Sequence, residues 1–134
     1  MIMASLFTRI VKGEIPCHKV GEDDRFLAFL DINPLQPGHS LVIPKIEVDQ
    51  LFDLDDDALA GILPFAKEVA HRIKRVVPCA RIGVAVVGLE VPHAHVHLIP
   101  INGMHDMEFS RPKLSYSQDE LASMAERIRS AGGA

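Results

Sequence analysis

Three histidines stand at alternate positions in the segment Pro92-His93-Ala94-His95-Val96-His97-Leu98-Ile99-Pro100. In an extended strand, side chains at i, i+2 and i+4 leave the same face. The spacing therefore predicts three imidazoles lining one surface, with Ala94, Val96 and Leu98 packing on the other side. Four kinds of role fit that arrangement. The rings can be surface residues of a half-exposed strand. They can hold a metal, although the outer pair of such a row is about 13 Å apart and zinc takes nitrogen at about 2.0–2.1 Å, so one ion can use two of them plus a distant third such as His39. A neutral imidazole is also a good nucleophile near pH 7, and neighbouring rings can orient it or bind anionic oxygens, as a covalent phosphoryl or nucleotidyl intermediate requires. The same surface can bind a nucleotide without turning it over.

Elements that position this segment can be read on either side of it. Leu6, Phe7, Ile10 and Val11 have helical spacing between Ser5 and Lys12, and Gly13 stops a short N-terminal helix there. Extended runs at 18–22 and 25–31 flank the acidic turn Glu22-Asp23-Asp24, which suggests a hairpin. Residues 33–38 hold two prolines and a glycine and read as a loop, and His39-Ser-Leu-Val-Ile-Pro44 reads as a buried strand. Asp55-Asp56-Asp57 precede a long helical pattern whose apolar face is Leu59, Ile62, Leu63, Ala66, Val69, Ile73, Val76 and Val77, with a bend expected at Pro64. Residues 81–87 and 92–100 are the last two strands. Ser117-Gln-Asp-Glu120 opens a C-terminal helix over 117–129 with a capping box. Few of these connections look like βαβ crossovers, so an antiparallel α+β fold is expected, as one domain over 1–134.

Composition sets outer bounds. The 134 residues are 48% apolar and 24% charged, ordinary values for a soluble domain with its own core. A net charge of −4 argues against a nucleic acid polymer as partner, since that mode of binding neutralises phosphates with Lys and Arg, whereas one nucleotide needs only local donors. Cys17 and Cys79 are no disulfide framework, so a reducing compartment is the simpler reading. Met1–Thr8 contains only a short apolar stretch, and no run is long enough to span a membrane; a cytoplasmic protein is expected.

The segment His93-Ala-His95-Val-His97-Leu98 resembles the histidine triad (HIT) motif, His-x-His-x-His followed by apolar residues. Lys12-Gly-Glu-Ile-Pro16, Phe29-Leu-Asp31-Ile32-Asn-Pro34 and Gly38-His39-Ser-Leu41-Val-Ile-Pro44-Lys45 also stand in that family's order and spacing. The resemblance implies a five-stranded antiparallel sheet with a long helix, a short N-terminal helix and a C-terminal helix, and a homodimer joined through the long helix and a central strand. It implies that His95 attacks an α-phosphate and becomes nucleotidylated, and that water then releases the nucleoside monophosphate. His97 would contact the phosphate or leaving group, and His93 would orient the nucleophile with His39 in its hydrogen-bond relay. Asp31 matches the carboxylate that takes the ribose hydroxyls, and Phe7, Ile10, Phe29, Ile32 and Leu41 match the apolar clamp on the base. Purine nucleoside phosphoramidates, AMP-like, are the implied ligands, with dinucleoside polyphosphates or nucleotide binding with little turnover as alternatives.

Departures from the pattern are local. The stretch Val86–Pro92 is short and lacks an Asn, and Glu90 stands where a neutral hydroxyl is common, so it is assigned to the nucleotide site with a role toward a leaving group or a water. Some bacterial members hold zinc through an N-terminal Cys-x-x-Cys, and Ser5-Leu-Phe-Thr8 has no cysteine. No metal and no cofactor are therefore expected.

Overall fold

The computed structural model describes residues 4–131. Part of the Met1–Thr8 expectation, Met1 to Met3, and the last three residues of the proposed 1–134 domain lie outside them. Helix α1 (Leu6–Val11) begins where the Ser5 hydroxyl accepts the Thr8 N–H, and Phe7 and Ile10 are its buried side. Strands β1 (Lys19–Glu22) and β2 (Phe26–Leu30) form an antiparallel hairpin, closed by Asp23, whose Oδ1 accepts the N–H groups of Arg25 and Phe26, both at 2.8 Å. β3 (Ser40–Pro44), helix α2 (Asp56–Val76), β4 (Arg81–Ala85), β5 (Val96–Ile101) and helix α3 (Gln118–Ser130) follow. The sheet order is β1-β2-β3-β5-β4, antiparallel throughout. This is the expected α+β fold, with five strands and three α-helices among the described residues.

β2 and β3 are buried at every position, and apolar at all but Ser40, whose hydroxyl donates to Gly38 O, because both faces of the sheet are covered. On one face Ala28, Leu30, Val42, Val96 and Leu98 pack against Ile62, Ala66, Val69 and Ile73 of α2 and against Leu121, Ala125 and Ile128 of α3. On the other, Leu27, Phe29, Leu41 and Ile43 pack under Phe7 and Ile10 of α1. Leu41 pairs with His97 across β3 and β5, so His97 rises on the α1 side. Among the described residues α1, of six residues, is the one helix packed on that face, and this leaves room for a cleft.

Both long helices are capped as their sequences require. Asp55 accepts the Ala58 N–H, and Ser117 and Glu120 form the capping box of α3. α2 runs on through Pro64, which lies with Ala60 on the exposed side, where water can take the carbonyl that the proline leaves without a donor. Leu63 departs from the expected apolar face: it is 58% exposed, because the buried stripe is centred on Ile62, Ala66, Val69 and Ile73 and position 63 turns about 100° away from it. Gly38 ends the 33–38 loop at φ +82, and a Cβ there would meet Val77 Cγ2 at 2.9 Å, so glycine is required where the chain turns to deliver His39.

The histidine segment also departs from expectation. β5 starts at Val96, so His93 and His95 precede the strand. Continued by two residues, the β3–β5 register would set Ala94 opposite Pro44, which has no N–H to donate. The Ala94 N–H instead reaches the carbonyl of Val48 at 2.7 Å, and the chain leaves the ladder. Cys17 and Cys79 are free thiols, and no helix among the described residues is long and apolar enough to cross a membrane.

Candidate active site

A cleft of about 590 Å³ opens on the α1 face of the sheet. His95, His97 and His39 line it together with Asp31 and Glu90, and so do the five expected apolar residues Phe7, Ile10, Phe29, Ile32 and Leu41. His93 does not. Its ring is wholly inaccessible and lies behind His95, with the edge of Phe7 against both rings at centroid distances of 5.9 and 5.1 Å. Loss of the strand at 93–95 is the reason, because the turn there no longer imposes the alternation that would put all three rings on one face.

Hydrogen bonds fix the protons on these rings. The Leu35 N–H donates to His39 Nδ1 at 3.0 Å, so the neutral His39 ring carries its proton on Nε2 and donates it to His97 Nδ1 at 2.9 Å. The neutral His97 ring then carries its own proton on Nε2. Burial, followed by the neighbouring His97 and Lys113, holds His39 down to about 3, and burial, followed by His95, holds His97 down to about 4. Both rings are therefore neutral around pH 7. His95 is fixed differently: its Nδ1–H donates to the backbone carbonyl of His93 at 2.7 Å, which in the neutral ring leaves the lone pair on Nε2. Two adjacent rings, 5.1 Å apart, thus have opposite characters, His95 with a free lone pair and His97 with a free N–H.

The relay expected for His39 is corrected by this geometry. His39 acts on His97, through the direct bond across β3 and β5, and His93 belongs to a separate network. In that network His93 Nε2–H donates to Pro44 O at 2.7 Å while Nδ1 meets Ser5 Oγ at 2.9 Å, and burial lowers the pKa of the ring. The hydroxyls of Ser5 and Thr8 thus meet at His93, in the place where cysteines were sought in the sequence.

Asp31, His39 and His97 bring one ligand atom each within 4.8 Å of one another. They are not built to hold a cation, because the His39 Nδ1 lone pair is taken by Leu35 and its Nε2 carries a proton, so that ring has no lone pair to give. Asp31 Oδ2 lies 3.7 Å from His39 Nε2, beyond hydrogen-bond length, and its Oδ1 accepts the Asn33 N–H at 2.9 Å. Burial raises the Asp31 carboxyl, against the lowering influence of that N–H, of His95 and of Lys113.

Phe109 and Lys113 complete the lining and were not legible as site residues. Phe109 sets its ring edge against His97 at 4.9 Å, and the Lys113 ammonium is held by the Phe109 carbonyl. Both lie in an irregular segment after β5 with neither motif nor period, so proximity in space was the only signal. The loop before the triad turns at Gly88, φ +74, and lines the cleft with Val87, Leu89 and Glu90.

The family model of the HIT domain matches residues 12–104. Adenosine 5'-monophosphoramidase hnt1 of Schizosaccharomyces pombe is 36% identical over 130 residues, covering 96% of this chain and 98% of the relative. Among solved structures, a Hit-like protein involved in cell-cycle regulation from Bartonella henselae superposes with a TM-score of 0.83 at 31% identity, covering 95% of each chain. A histidine triad nucleotide-binding protein from Candida albicans superposes with a TM-score of 0.66 at 30% identity, covering 95% of this chain and 96% of that one.

Proposed function

This chain belongs to the HIT domain family, and from that premise we propose that it hydrolyses nucleoside phosphoramidates, with adenosine phosphoramidate as the representative substrate, through a nucleotidyl intermediate on His95. The observation that carries the reading is the 2.7 Å bond from His95 Nδ1–H to the His93 carbonyl, which leaves the lone pair on Nε2 of a ring that lines the cleft. His95 Nε2 attacks the α-phosphorus. The P–N bond breaks with its electron pair on the leaving nitrogen, which takes up a proton from solvent. Water then attacks the same phosphorus and gives up a proton to solvent, replacing the one taken by the leaving nitrogen. The bond to Nε2 breaks with its electron pair on Nε2, and nucleoside monophosphate leaves with His95 restored. His97 Nε2–H donates to a non-bridging oxygen, and that donor is in place before substrate arrives because His39 fixes the tautomer.

Charge in the cleft favours this substrate over a dinucleoside polyphosphate. Asp31 and Glu90 face it with Lys113 as the single Lys or Arg among the lining residues, so a polyphosphate leaving group meets more repulsion than an amine does. Phe7, Phe29, Ile32 and Leu41 form an apolar slot for the base, and the Asp31 carboxylate accepts from the ribose diol. Asp31→Asn is expected to raise KM about tenfold with kcat within a fewfold, the effect of weakening charge-assisted hydrogen bonds. The 2′-deoxy substrate is expected to bind more weakly to the wild type and to lose little further in the variant. Steady-state kinetics of the four combinations measures this, and additive losses would remove Asp31 from the ribose.

The homodimer, expected through the long helix and a central strand, is proposed instead on the edge of the sheet, because β4 is an edge strand in the order β1-β2-β3-β5-β4. Among the described residues β4 pairs only with β5 and its other edge has no strand, and Val84 within it and Val86 just after it are 54% and 44% exposed. A second copy adding its own β4 would cover both. Light scattering is expected to give twice the chain mass for the wild type and a monomer for Val84→Lys. A wild type that is monomeric at micromolar concentration would exclude the pairing.

A further inference from the structure

Residues 93–95 lie just before β5, so the turn that holds the proposed nucleophile has no strand ladder to fix its peptides. Three groups from the single segment 44–48 take that role. Pro44 O accepts from His93 Nε2–H at 2.7 Å, and Val48 O accepts from the Ala94 N–H at 2.7 Å. The second bond fixes the plane of the 93–94 peptide, whose carbonyl is the group that receives the His95 Nδ1–H.

Glu47 supplies the third. Its Oε1 accepts the Ser5 N–H and the Thr8 hydroxyl, both at 2.6 Å. A carboxylate only accepts, so the Thr8 proton is committed to Glu47 and Thr8 has none for His93. With the Nε2 proton of the neutral His93 ring donated to Pro44 O, Nδ1 is an acceptor, and the Ser5 hydroxyl at 2.9 Å is its donor. Thr8 Oγ1, 3.2 Å from Ser5 Oγ and 3.3 Å from Nδ1, is the longer alternative for that proton. His93 is thereby held with its proton on Nε2, the form that can donate to Pro44 O. Both ring nitrogens and both adjacent peptides of His93 are engaged, since its own N–H also donates to Val91 O at 2.8 Å. Glu47 does not line the cleft, and it meets α1 at its first turn, through Ser5 and Thr8.

We infer that Glu47 is a positioning residue of the reaction: through Ser5, Thr8 and His93 it holds the backbone carbonyl that sets the tautomer and direction of His95. The inference rests on the proposal that His95 is the nucleophile. Glu47→Ala is expected to lower kcat about tenfold with KM within twofold, the range seen when a partner that orients a reacting group is lost. Glu47→Gln keeps an oxygen that accepts both bonds and is expected to recover most of the rate. Nitrogen-15 spectra of the ring are expected to show His95 protonated at Nδ1 in the wild type and in Glu47→Gln, and a mixture of tautomers in Glu47→Ala. Thr8→Val removes one of the two bonds that Glu47 accepts at nearly constant volume, with the Ser5 N–H bond left in place, and is expected to lower kcat by part of the Glu47→Ala loss and to mix the tautomers in a protein that folds. Wild-type kcat and a single His95 tautomer in folded Glu47→Ala or Thr8→Val would overturn the inference, as would a Glu47→Gln rate no better than that of Glu47→Ala. A wild type that forms no adduct would remove the nucleophile proposal instead, and the ring spectra would still report whether Glu47 governs His95.

Discussion

His95→Ala is expected to abolish the covalent adduct and to lower kcat by a factor on the order of 10⁴ or more, the scale of losing a nucleophile whose partners act with it as a unit. Mass spectrometry of the wild type quenched in acid-free denaturant during turnover of adenosine phosphoramidate should show a chain heavier by one AMP moiety, located on the peptide that contains His95. The same experiment on the variant should show none. The expectation is this large because nothing else in the cleft can replace the ring. His97 Nδ1 is occupied by His39 and its Nε2 carries the proton, so the neighbour 5.1 Å away has no lone pair to offer. Cys17 also lines the cleft, but burial raises its thiol pKa and keeps it from the thiolate form that attacks phosphorus. His97→Ala, which removes a donor and not the nucleophile, is expected to slow turnover less, by about 10²–10³. Hydrolysis that persists unchanged in His95→Ala would retire the covalent mechanism, and an adduct on another residue would reassign it.

Acid is expected to destabilise the fold through the same pair of rings. In the unfolded chain His39 and His97 take up protons near 6.5, whereas in the folded protein burial keeps them neutral until about 3 and about 4. Below pH 6.5 the unfolded state therefore binds more protons, and stability falls as the pH drops until the folded rings titrate in turn. Over the roughly 2.5 units from 6.5 to 4, His39 alone accounts for a loss on the order of 3 kcal/mol, at about 1.4 kcal/mol per unit. Urea unfolding at pH 7, 5.5 and 4 measures it. Carboxylates such as Glu22, lowered by its bonds to Lys45 and Lys19, add a loss of the same sign at more acid pH, so the diagnostic quantity is the difference between the wild type and His39→Asn. The variant is expected to be less stable at pH 7, where His97 Nδ1 loses a well-placed partner, and to lose less on acidification. Parallel acid limbs in the two proteins would show that His39 is not held neutral in the fold.

The order of helices and strands was legible because most elements announce a boundary, the start of β5 and the end of β4 being the exceptions. Ser5, Asp55 and Ser117 cap helices, Asp23 turns the hairpin, and the apolar runs 26–30 and 41–44 of β2 and β3 require a sheet covered on both faces. The apolar lining of the cleft was legible as a resemblance in sequence blocks that the fold brings to one face. Phe109 and Lys113 were not, since they reach the cleft along an irregular segment whose course is set by packing and not by local preference. Glu47 is one of several exposed acidic residues in sequence, and its partners Ser5, Thr8 and His93 are distant along the chain.

Residue type and spacing determined by themselves which rings were available for chemistry and which face of β5 would carry His97. They misplaced His93, because period-two alternation holds only while a strand is paired, and Pro44 withdraws the donor that would continue the ladder. The division of labour among the rings belongs to the tertiary structure alone. A histidine's two nitrogens are equivalent in sequence and become donor or acceptor only when Leu35 N–H, the His93 carbonyl or Pro44 O is brought against one of them.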